Sequence, residues 1–283
     1  MILFPNAKIN LGLNITERRP DGYHNLESIF LPVSLCDMLE VVPSPDGNTT
    51  LHQSGLVPEG AEQEKNLVVR AYRILEKEYQ IPPIHIYLHK QIPSGAGMGG
   101  GSSDAAYMLK LLNTRFHLDI PQEQLQQKAL SLGADCPFFI QNAPSFVSGI
   151  GETLRPIDFC LNAYRIAIVK PPLFVSTAEA FRLIRPHRSI IPVLQAVLEH
   201  PIEEWKDILH NDFEDSLFPL HPQLASIKEK LYASGALYAS MTGSGSAFFA
   251  LYPLAGQTEP SPTAQQLQEL FPESFTWIDN SQS

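Results

Sequence analysis

At 283 residues, with 44% hydrophobic and 18% charged residues, the chain has the composition of a globular protein long enough for two domains. Its formal net charge of −10 speaks against broad binding to nucleic acid or to an anionic membrane, so a phosphate site here must be locally positive, through helix ends, Lys8, Lys90 or a metal. No apolar run of roughly 18 residues is present and Met1 to Asn6 lacks a leader core, so no membrane span and no signal peptide are expected, while Cys36, Cys136 and Cys160, odd in number and widely spaced, fit reduced cytoplasmic thiols.

The first third reads as mostly strand. Ile9, Leu11, Leu13 and Ile15 alternate with polar residues over 8–15, the pattern of a half-buried strand. Asp21-Gly22 marks a turn, and 26–35 and 38–42 read as further strands. A turn at 45–48 precedes another strand at 49–53. Asn66 is a good N-cap for a helix to about Gln80, with an apolar stripe expected from Leu67, Ala71, Ile74, Leu75 and Tyr79, stopped by Pro82-Pro83. A strand at 84–89 leads into the most informative stretch, Pro93-Ser94-Gly95-Ala96-Gly97-Met98-Gly99-Gly100-Gly101-Ser102-Ser103. Helices are expected at 103–114 and 122–132, then a hairpin around Gly151. After a composition shift near 156–163 come a strand (165–169), helices (177–184, 191–199, 222–234), two strands (237–241, 247–252) around Thr242-Gly243-Ser244-Gly245, and a final helix (263–270) and strand (275–278). The mix predicts two α+β domains with a boundary near residue 160.

The glycine stretch predicts an anion site. Glycine lets backbone N–H groups approach a ligand without a Cβ in the way, and the first turn of the next helix offers unpaired N–H groups and the positive end of its dipole. The stretch lacks the Gly-Lys-Ser/Thr ending of a Walker A loop and the continuation of the dinucleotide fingerprint. The bland alternative, a flexible surface loop, fits poorly between a strand and a strong helix.

Four segments then line up: Pro5-Asn6-Ala7-Lys8-Ile9-Asn10-Leu11-Gly12-Leu13, Asp21-Gly22-Tyr23-His24, the glycine loop with Ser102-Ser103-Asp104, and Thr242-Gly243-Ser244-Gly245-Ser246. Their order and content resemble the GHMP kinase superfamily over residues 5–252, densely in the first 160. Asp-Gly-Tyr-His, Gly-Gly-Gly-Ser-Ser and Gly133-Ala134-Asp135-Cys136-Pro137-Phe138 resemble the branch whose substrate carries a cytidine diphosphate group. The resemblance implies a two-domain α+β GHMP kinase fold, with a ribosomal-protein-like ATP-binding domain over 1–160, a ferredoxin-like domain over 161–283 and the active site in the interdomain cleft. It also implies an ATP- and Mg²⁺-dependent kinase of the non-mevalonate isoprenoid route, monomeric or weakly dimeric, cytoplasmic or plastidial, phosphorylating the 2-hydroxyl of a methylerythritol unit. Other kinases of the superfamily, of homoserine or mevalonate type, and a sensor that has lost catalysis remain alternatives.

Carried onto this sequence, the resemblance makes Asp135 the acceptor of the substrate hydroxyl proton and Lys8 the cation that holds it. The plainer readings are a helix cap for Asp135 and a solvated strand-edge lysine for Lys8. Asn10 becomes a substrate-positioning amide. Tyr23 stacks on the cytosine ring, His24 hydrogen-bonds its polar edge, and Phe181, one helical turn after Thr177, closes the sandwich, with core packing equally open for Phe181. Pro93, Gly95, Gly97, Gly99, Gly100, Gly101, Ser102 and Ser103 wrap the ATP phosphates, and Asn66 and Lys90 line the adenine pocket. Asn66 doubles as an N-cap, and the plain reading of Lys90 is an exposed strand-end lysine. Ser102, Ser103 and Asp104 are weak metal candidates, Asp104 otherwise being a first-turn acid that favours the helix dipole. The turn at Gly243 and Gly245 is expected to approach the first glycine loop across the cleft.

Overall fold

The computed structural model describes residues 1–57, 60, 62–184, 191–254 and 261–279. In chain order the elements are β1 (Ile2–Leu3), β2 (Asn6–Arg18), β3 (His24–Cys36), β4 (Met38–Pro43), β5 (Thr50–Gly55), α1 (Leu67–Tyr79), β6 (Ile84–Lys90), α2 (Gly100–Arg115), α3 (Gln122–Leu130) and α4 (Cys136–Gln141). There follow β7 (Ser145–Ser148), β8 (Thr153–Pro156), β9 (Tyr164–Lys170), α5 (Thr177–Leu183), α6 (Val193–Glu199), α7 (Ile202–Ile208) and α8 (Asp212–Leu217). The chain closes with α9 (Pro222–Ala233), β10 (Tyr238–Met241), β11 (Phe248–Pro253), α10 (Ala264–Leu270) and β12 (Phe275–Ile278).

The residues divide into two compact units, each assembled from separate stretches of chain. Unit 1 holds Met1–Lys8, Pro32–Ser94 and Gly99–Ala143. Its sheet has the order β1-β4-β6-β5, with β4 antiparallel and β5 parallel to β6. The inward residues Leu39, Val41, Leu51, Ile84, Ile86 and Leu88 are buried in this unit, as are Ala105, Ala106, Met108, Leu109, Leu111 and Leu112 of α2. Helix α1 packs on α2. The Asn66 side chain accepts a hydrogen bond from the Val68 N–H, which fixes the start of α1, and the helix ends at Gln80 in the left-handed region. Its buried stripe is Val68, Val69, Ala71, Tyr72 and Leu75, rotated from the expected one: Leu67, Ile74 and Tyr79 are only half-buried. Tyr72 replaces Ile74 on that stripe because its ring is buried while its hydroxyl reaches Thr49 and Glu76.

Unit 2 holds Ile9–Leu31, Gly95–Met98 and Pro144–Ser283. Strands β7 and β8 form the expected hairpin around Gly151 and continue the sheet β2-β3-β7-β8. A second sheet, β10-β11-β9-β12, is antiparallel throughout. Strand β2 departs from the half-buried reading, because residues 6–15 are buried on both faces. Its polar positions Lys8, Asn10 and Asn14 are internal. Alternation along β2 therefore separates an apolar core face from a polar interior face, rather than core from water.

Sequence periodicity missed β1, a 3₁₀ turn (Gln63–Lys65), α4, α7 and α8. Helices of six or seven residues display barely two turns of a 3.6-residue period, so short helices such as α4, α7 and α8 are easily passed over, even though α5, α6 and α10, also of seven residues, are expected from the sequence. Helix α2 also starts earlier than expected, at Gly100, so two of the glycines form its first turn. Among the described residues, no helix is long and apolar enough to cross a membrane.

Candidate active site

In unit 1, β2 delivers Lys8 into the interior, where its Nζ lies 3.8 Å from Asp135 Oδ2. Neither plain reading survives. Lys8 is buried, not a solvated strand-edge residue. Asp135 occupies the N-cap position of α4, yet its φ of −80° and ψ of −15° are already helical and its side chain makes no capping hydrogen bond. An extended backbone is what normally turns a cap side chain back onto the helix N–H groups. Without it the carboxylate is one-third exposed and directed at Lys8. Burial pulls the Lys8 pKa below its ordinary value, and the Asp135 charge only partly offsets that pull.

The glycine stem sits on this pair. A Cβ at Gly99 would lie 2.9 Å from the Phe139 ring and 3.4 Å from Lys8 Cγ, so glycine there admits the backbone against the lysine stem. Gly99 has φ +70° and occupies the N-cap position of α2 without a side-chain cap, and the first turn carries no acid. The open N–H groups of a 16-residue helix thus form a positive end. Gly101 faces open space: a methyl group there would have only Leu67 Cδ1 near it, at 3.9 Å. The Ser103 hydroxyl is buried with no hydrogen-bond partner, and Ser102 Oγ would lie 3.9 Å from a Cβ at Gly133. An uncapped helix start, an open glycine and an orphaned hydroxyl together fit a bound phosphate chain.

Lys90 is buried at the end of β6 and pairs with Asp37 and Asp104, the latter at 2.5 Å, which corrects the reading of an exposed strand-end lysine. Asp104 lies in the second turn of α2, not the first, and its carboxylate is committed to Lys90 rather than to the helix dipole. Burial, reinforced by Asp37 and opposed by Lys90, pushes Asp104 up to about 7. Asn66 is half-buried as the α1 cap, and Pro93 is half-buried at the entry to the loop. Among the described residues, no group of three or more His, Cys, Asp or Glu side chains is placed to hold a metal.

In unit 2 the two glycine-rich segments meet. A Cβ on Gly97 would overlap the Thr242 carbonyl, and one on Gly243 would lie 2.9 Å from Gly97 Cα. The expected approach is present, but as a contact inside one compact unit. Asn10 organises it: its Oδ1 accepts from Thr242 Oγ1 (3.1 Å) and the Gly243 N–H (2.9 Å), and its Nδ2 donates to Ser28 Oγ. Asn211 supports the same turn, donating from Nδ2 to the carbonyls of Met241 (2.7 Å) and Gly243 (2.9 Å). Gly95, with φ +61°, is exposed, but a Cβ there would come within 2.7 Å of the Phe174 ring. Ala96 is not among the residues with positive φ, so the alanine there carries no strain.

Also in unit 2, His24 stacks on Phe181 with ring centroids 5.3 Å apart and planes 24° from parallel. Phe181 makes an edge contact with Phe213 on another side (4.9 Å). The ring against Phe181 is therefore that of His24, whereas Tyr23 is 60% exposed. Burial, then the nearby Arg18 charge, lowers the His24 pKa, which keeps its imidazole neutral with one donor and one acceptor. Thr177 Oγ1 lies 3.0 Å from Ser244 Oγ and so joins α5 to the second glycine turn.

Sequence reasoning missed Asp37, Ser28 and Asn211. Asp37 and Ser28 carry no local signal, since Asp37 is a lone acid between two strands and Ser28 is one of several polar residues in β3 with nothing to set it apart. Asn211 was legible: Asn211-Asp212 ahead of Phe213 and Leu217 is a helix N-cap pattern, and its side chain does accept from the Phe213 N–H.

Comparison with known proteins bears on all of this. Residues 66–148 match the model of the GHMP kinases N terminal domain, and residues 193–274 that of the GHMP kinases C terminal domain. The chain is 56% identical over 254 residues to 4-diphosphocytidyl-2-C-methyl-D-erythritol kinase of Bacteroides thetaiotaomicron, covering 89% of this chain and 92% of the relative. It is 48% identical over 277 residues to the same-named enzyme of Parabacteroides distasonis, covering 98% of each. The fold matches a crystal structure of 4-(cytidine 5'-diphospho)-2C-methyl-D-erythritol kinase with a TM-score of 0.80, at 35% identity over 98% of both chains. With its two-domain α+β GHMP kinase fold, the chain belongs to the 4-diphosphocytidyl-2-C-methyl-D-erythritol kinase family of the GHMP kinases.

Proposed function

We propose that this chain is the ATP-dependent kinase that phosphorylates the 2-hydroxyl of 4-diphosphocytidyl-2-C-methyl-D-erythritol, and that the residues above carry the reaction. The pairing of the buried Lys8 with the one-third-exposed Asp135 carboxylate, with Gly99 packed against the Lys8 stem, is the observation on which the catalytic assignment rests. Asp135 takes the hydroxyl proton. The freed oxygen bonds to the γ-phosphorus as the bond from that phosphorus to the β,γ-bridging oxygen breaks, and ADP leaves. Lys8 holds the carboxylate and counters charge on the attacking oxygen. Direct in-line transfer needs no phosphoenzyme.

The first-turn N–H groups of α2 at Gly100, Gly101 and Ser102, with the Ser103 hydroxyl, hold the phosphates, and Gly95 and Gly97 supply the loop's reversals of direction. Pro93, Asn66 and Lys90 belong to the nucleotide side. The hydroxyls of Ser102 and Ser103 are the protein groups with the right chemistry to hold Mg²⁺, which would neutralise phosphate charge when bound with ATP. On the acceptor side, Phe181 and Tyr23 take the two faces of the cytosine, and neutral His24 reads its edge after leaving the Phe181 face. Asn10 and Thr177 set the second glycine turn as well as lying on the acceptor side. The family matches fall on either side of residue 160, which supports an ATP-binding part over 1–160 and a C-terminal part over 161–283. Cytoplasmic residence belongs to the same reading.

Kinases of homoserine or mevalonate type are not favoured, because the high-identity relatives bear a different name. The test is ADP release from MgATP by purified protein offered 4-diphosphocytidyl-2-C-methyl-D-erythritol, methylerythritol phosphate, mevalonate and homoserine. Turnover with the cytidine-linked compound alone is expected. Turnover with mevalonate or homoserine instead would remove the cytosine-reading roles, and nucleotide binding without turnover would favour a sensor.

A further inference from the structure

Asp37 has no part in the roles above, yet it is fully buried in unit 1 and bonded through both carboxylate oxygens. Its own N–H donates to the Pro5 carbonyl (2.8 Å). Its Oδ1 accepts from the N–H groups of Gln91 (2.6 Å) and Ile92 (2.8 Å), the residues that lead out of β6 toward the glycine loop. Its Oδ2 accepts from Lys90 Nζ, and the same ammonium reaches Asp104 in the second turn of α2. The two stems of the glycine loop are thus tied to one carboxylate–ammonium–carboxylate chain. Ile92, fixed at the backbone by Asp37, puts Cγ2 within 2.9 Å of where a Cβ on Gly100 would sit, and Lys90 Nζ lies 3.5 Å from the same point. The first residue of the phosphate-facing helix therefore rests on groups that Asp37 places.

Stability alone does not account for this arrangement. The site buries Asp37, Asp104 and one ammonium, and burial already drives the Asp104 carboxyl partly toward its protonated form near neutral pH; removing such ionisable groups from water costs several kcal/mol each in real proteins. Apolar residues of the same volume often fill such a site without loss. What the ionisable groups supply is direction: short charge-assisted hydrogen bonds tie the backbone at Gln91 and Ile92 and the second turn of α2 to one another. A glycine-rich segment, with the largest conformational freedom of any sequence, gains most from having both its ends fixed.

We propose that Asp37 is a positioning residue of the nucleotide site, acting through Lys90 and the Gln91–Ile92 backbone to hold the two stems of the glycine loop in phosphate-binding register. The proposal rests on the kinase reading for its consequence in turnover, but nucleotide affinity tests it separately. Asp37→Ala and Asp37→Asn are compared with the wild type by calorimetric MgADP affinity, by KM for MgATP and for the cytidine-linked acceptor, and by thermal unfolding. For Asp37→Ala a roughly 10- to 100-fold weakening of MgADP binding and a parallel rise in the MgATP KM are expected, with the acceptor KM unchanged. Asp37→Asn keeps an acceptor for the two N–H groups and loses the charge facing Lys90, so it is expected to fall between the alanine variant and wild type. A lowered unfolding temperature with unchanged MgADP affinity and MgATP KM would mark Asp37 as merely structural and overturn the proposal. Should Asp37→Ala not fold, the same constants for Asp37→Asn decide. If wild type binds MgADP but does not phosphorylate the acceptor, the kinase reading fails while the affinities still decide this inference.

Discussion

Gly101→Ala separates a structural glycine from a ligand-facing one. Gly101 lies in the first turn of α2 without a positive φ, and a methyl there meets nothing closer than Leu67 Cδ1 at 3.9 Å. In the free protein alanine therefore fits without strain. Its better helix propensity is worth up to about 0.5–1 kcal/mol in a helix interior and less in a first turn. At about 2–4 °C per kcal/mol for a chain of this class, the unfolding temperature should rise by about 1–2 °C. If phosphates lie on this backbone, the same methyl holds them off by about a bond length and weakens one or two charge-assisted N–H contacts, each worth about 1.5–3 kcal/mol. A KM for MgATP raised roughly 10- to 100-fold follows, since about 1.4 kcal/mol is tenfold. Scanning fluorimetry of the free variant and initial rates at varied MgATP give the two numbers. Opposite signs, more stable yet weaker for ATP, support the site. An unchanged KM would place the phosphates elsewhere and refute the reasoning. Gly97→Ala is the contrast: its φ of +74° and the overlap with the Thr242 carbonyl strain the free protein itself, so stability and ATP affinity should fall together.

Asp135→Asn keeps the size of the side chain and removes the proton acceptor, so kcat should fall by about 10²–10⁴ with MgADP affinity retained; an affinity that fell in step with kcat would sink the assignment. Because burial lowers the Lys8 pKa below its ordinary 10.5, the ammonium is lost as pH rises at a lower pH than for a free lysine. The kcat profile should accordingly show an alkaline decline below that value, and Lys8→Arg, which stays charged, should lose this limb along with much of its rate. A limb that persists in the arginine variant would assign it to another group. Phe181→Ala should raise the KM for the cytidine-linked acceptor by about 10- to 100-fold, the value of one base stack, and leave the MgATP KM unchanged. An equal rise in both constants would point instead to the edge contact with Phe213 and a packing role.

The chemistry of this protein is written largely in local sequence, and its geometry is not. The glycine loop, the Asn66 cap, the strand at 84–90 and the turn at 242–245 follow from residues within a few positions of each other, since backbone conformation and capping are local effects. The candidate roles of Lys8 and Asp135 come instead through the family resemblance that the short motifs carry, since the local readings alone are a strand lysine and a helix cap. What no local pattern contains is which polar residues are internal. The plain readings of Lys8 and Lys90 are solvated side chains, because the polar members of an alternating strand normally face water, and nothing local marks Asn10 as internal either. They are buried because partners distant in sequence meet them: Asp135 for Lys8, Thr242 and Gly243 for Asn10, Asp37 and Asp104 for Lys90. Asp37 is the extreme case, a lone acid between two strands whose partners Pro5, Lys90, Gln91 and Ile92 are assigned only by the way β4, β6 and α2 pack. Which helix turn Asp104 occupies, and which ring lies on Phe181, were likewise decided by packing, because desolvating a polar group is tolerable only where the whole fold supplies its partner.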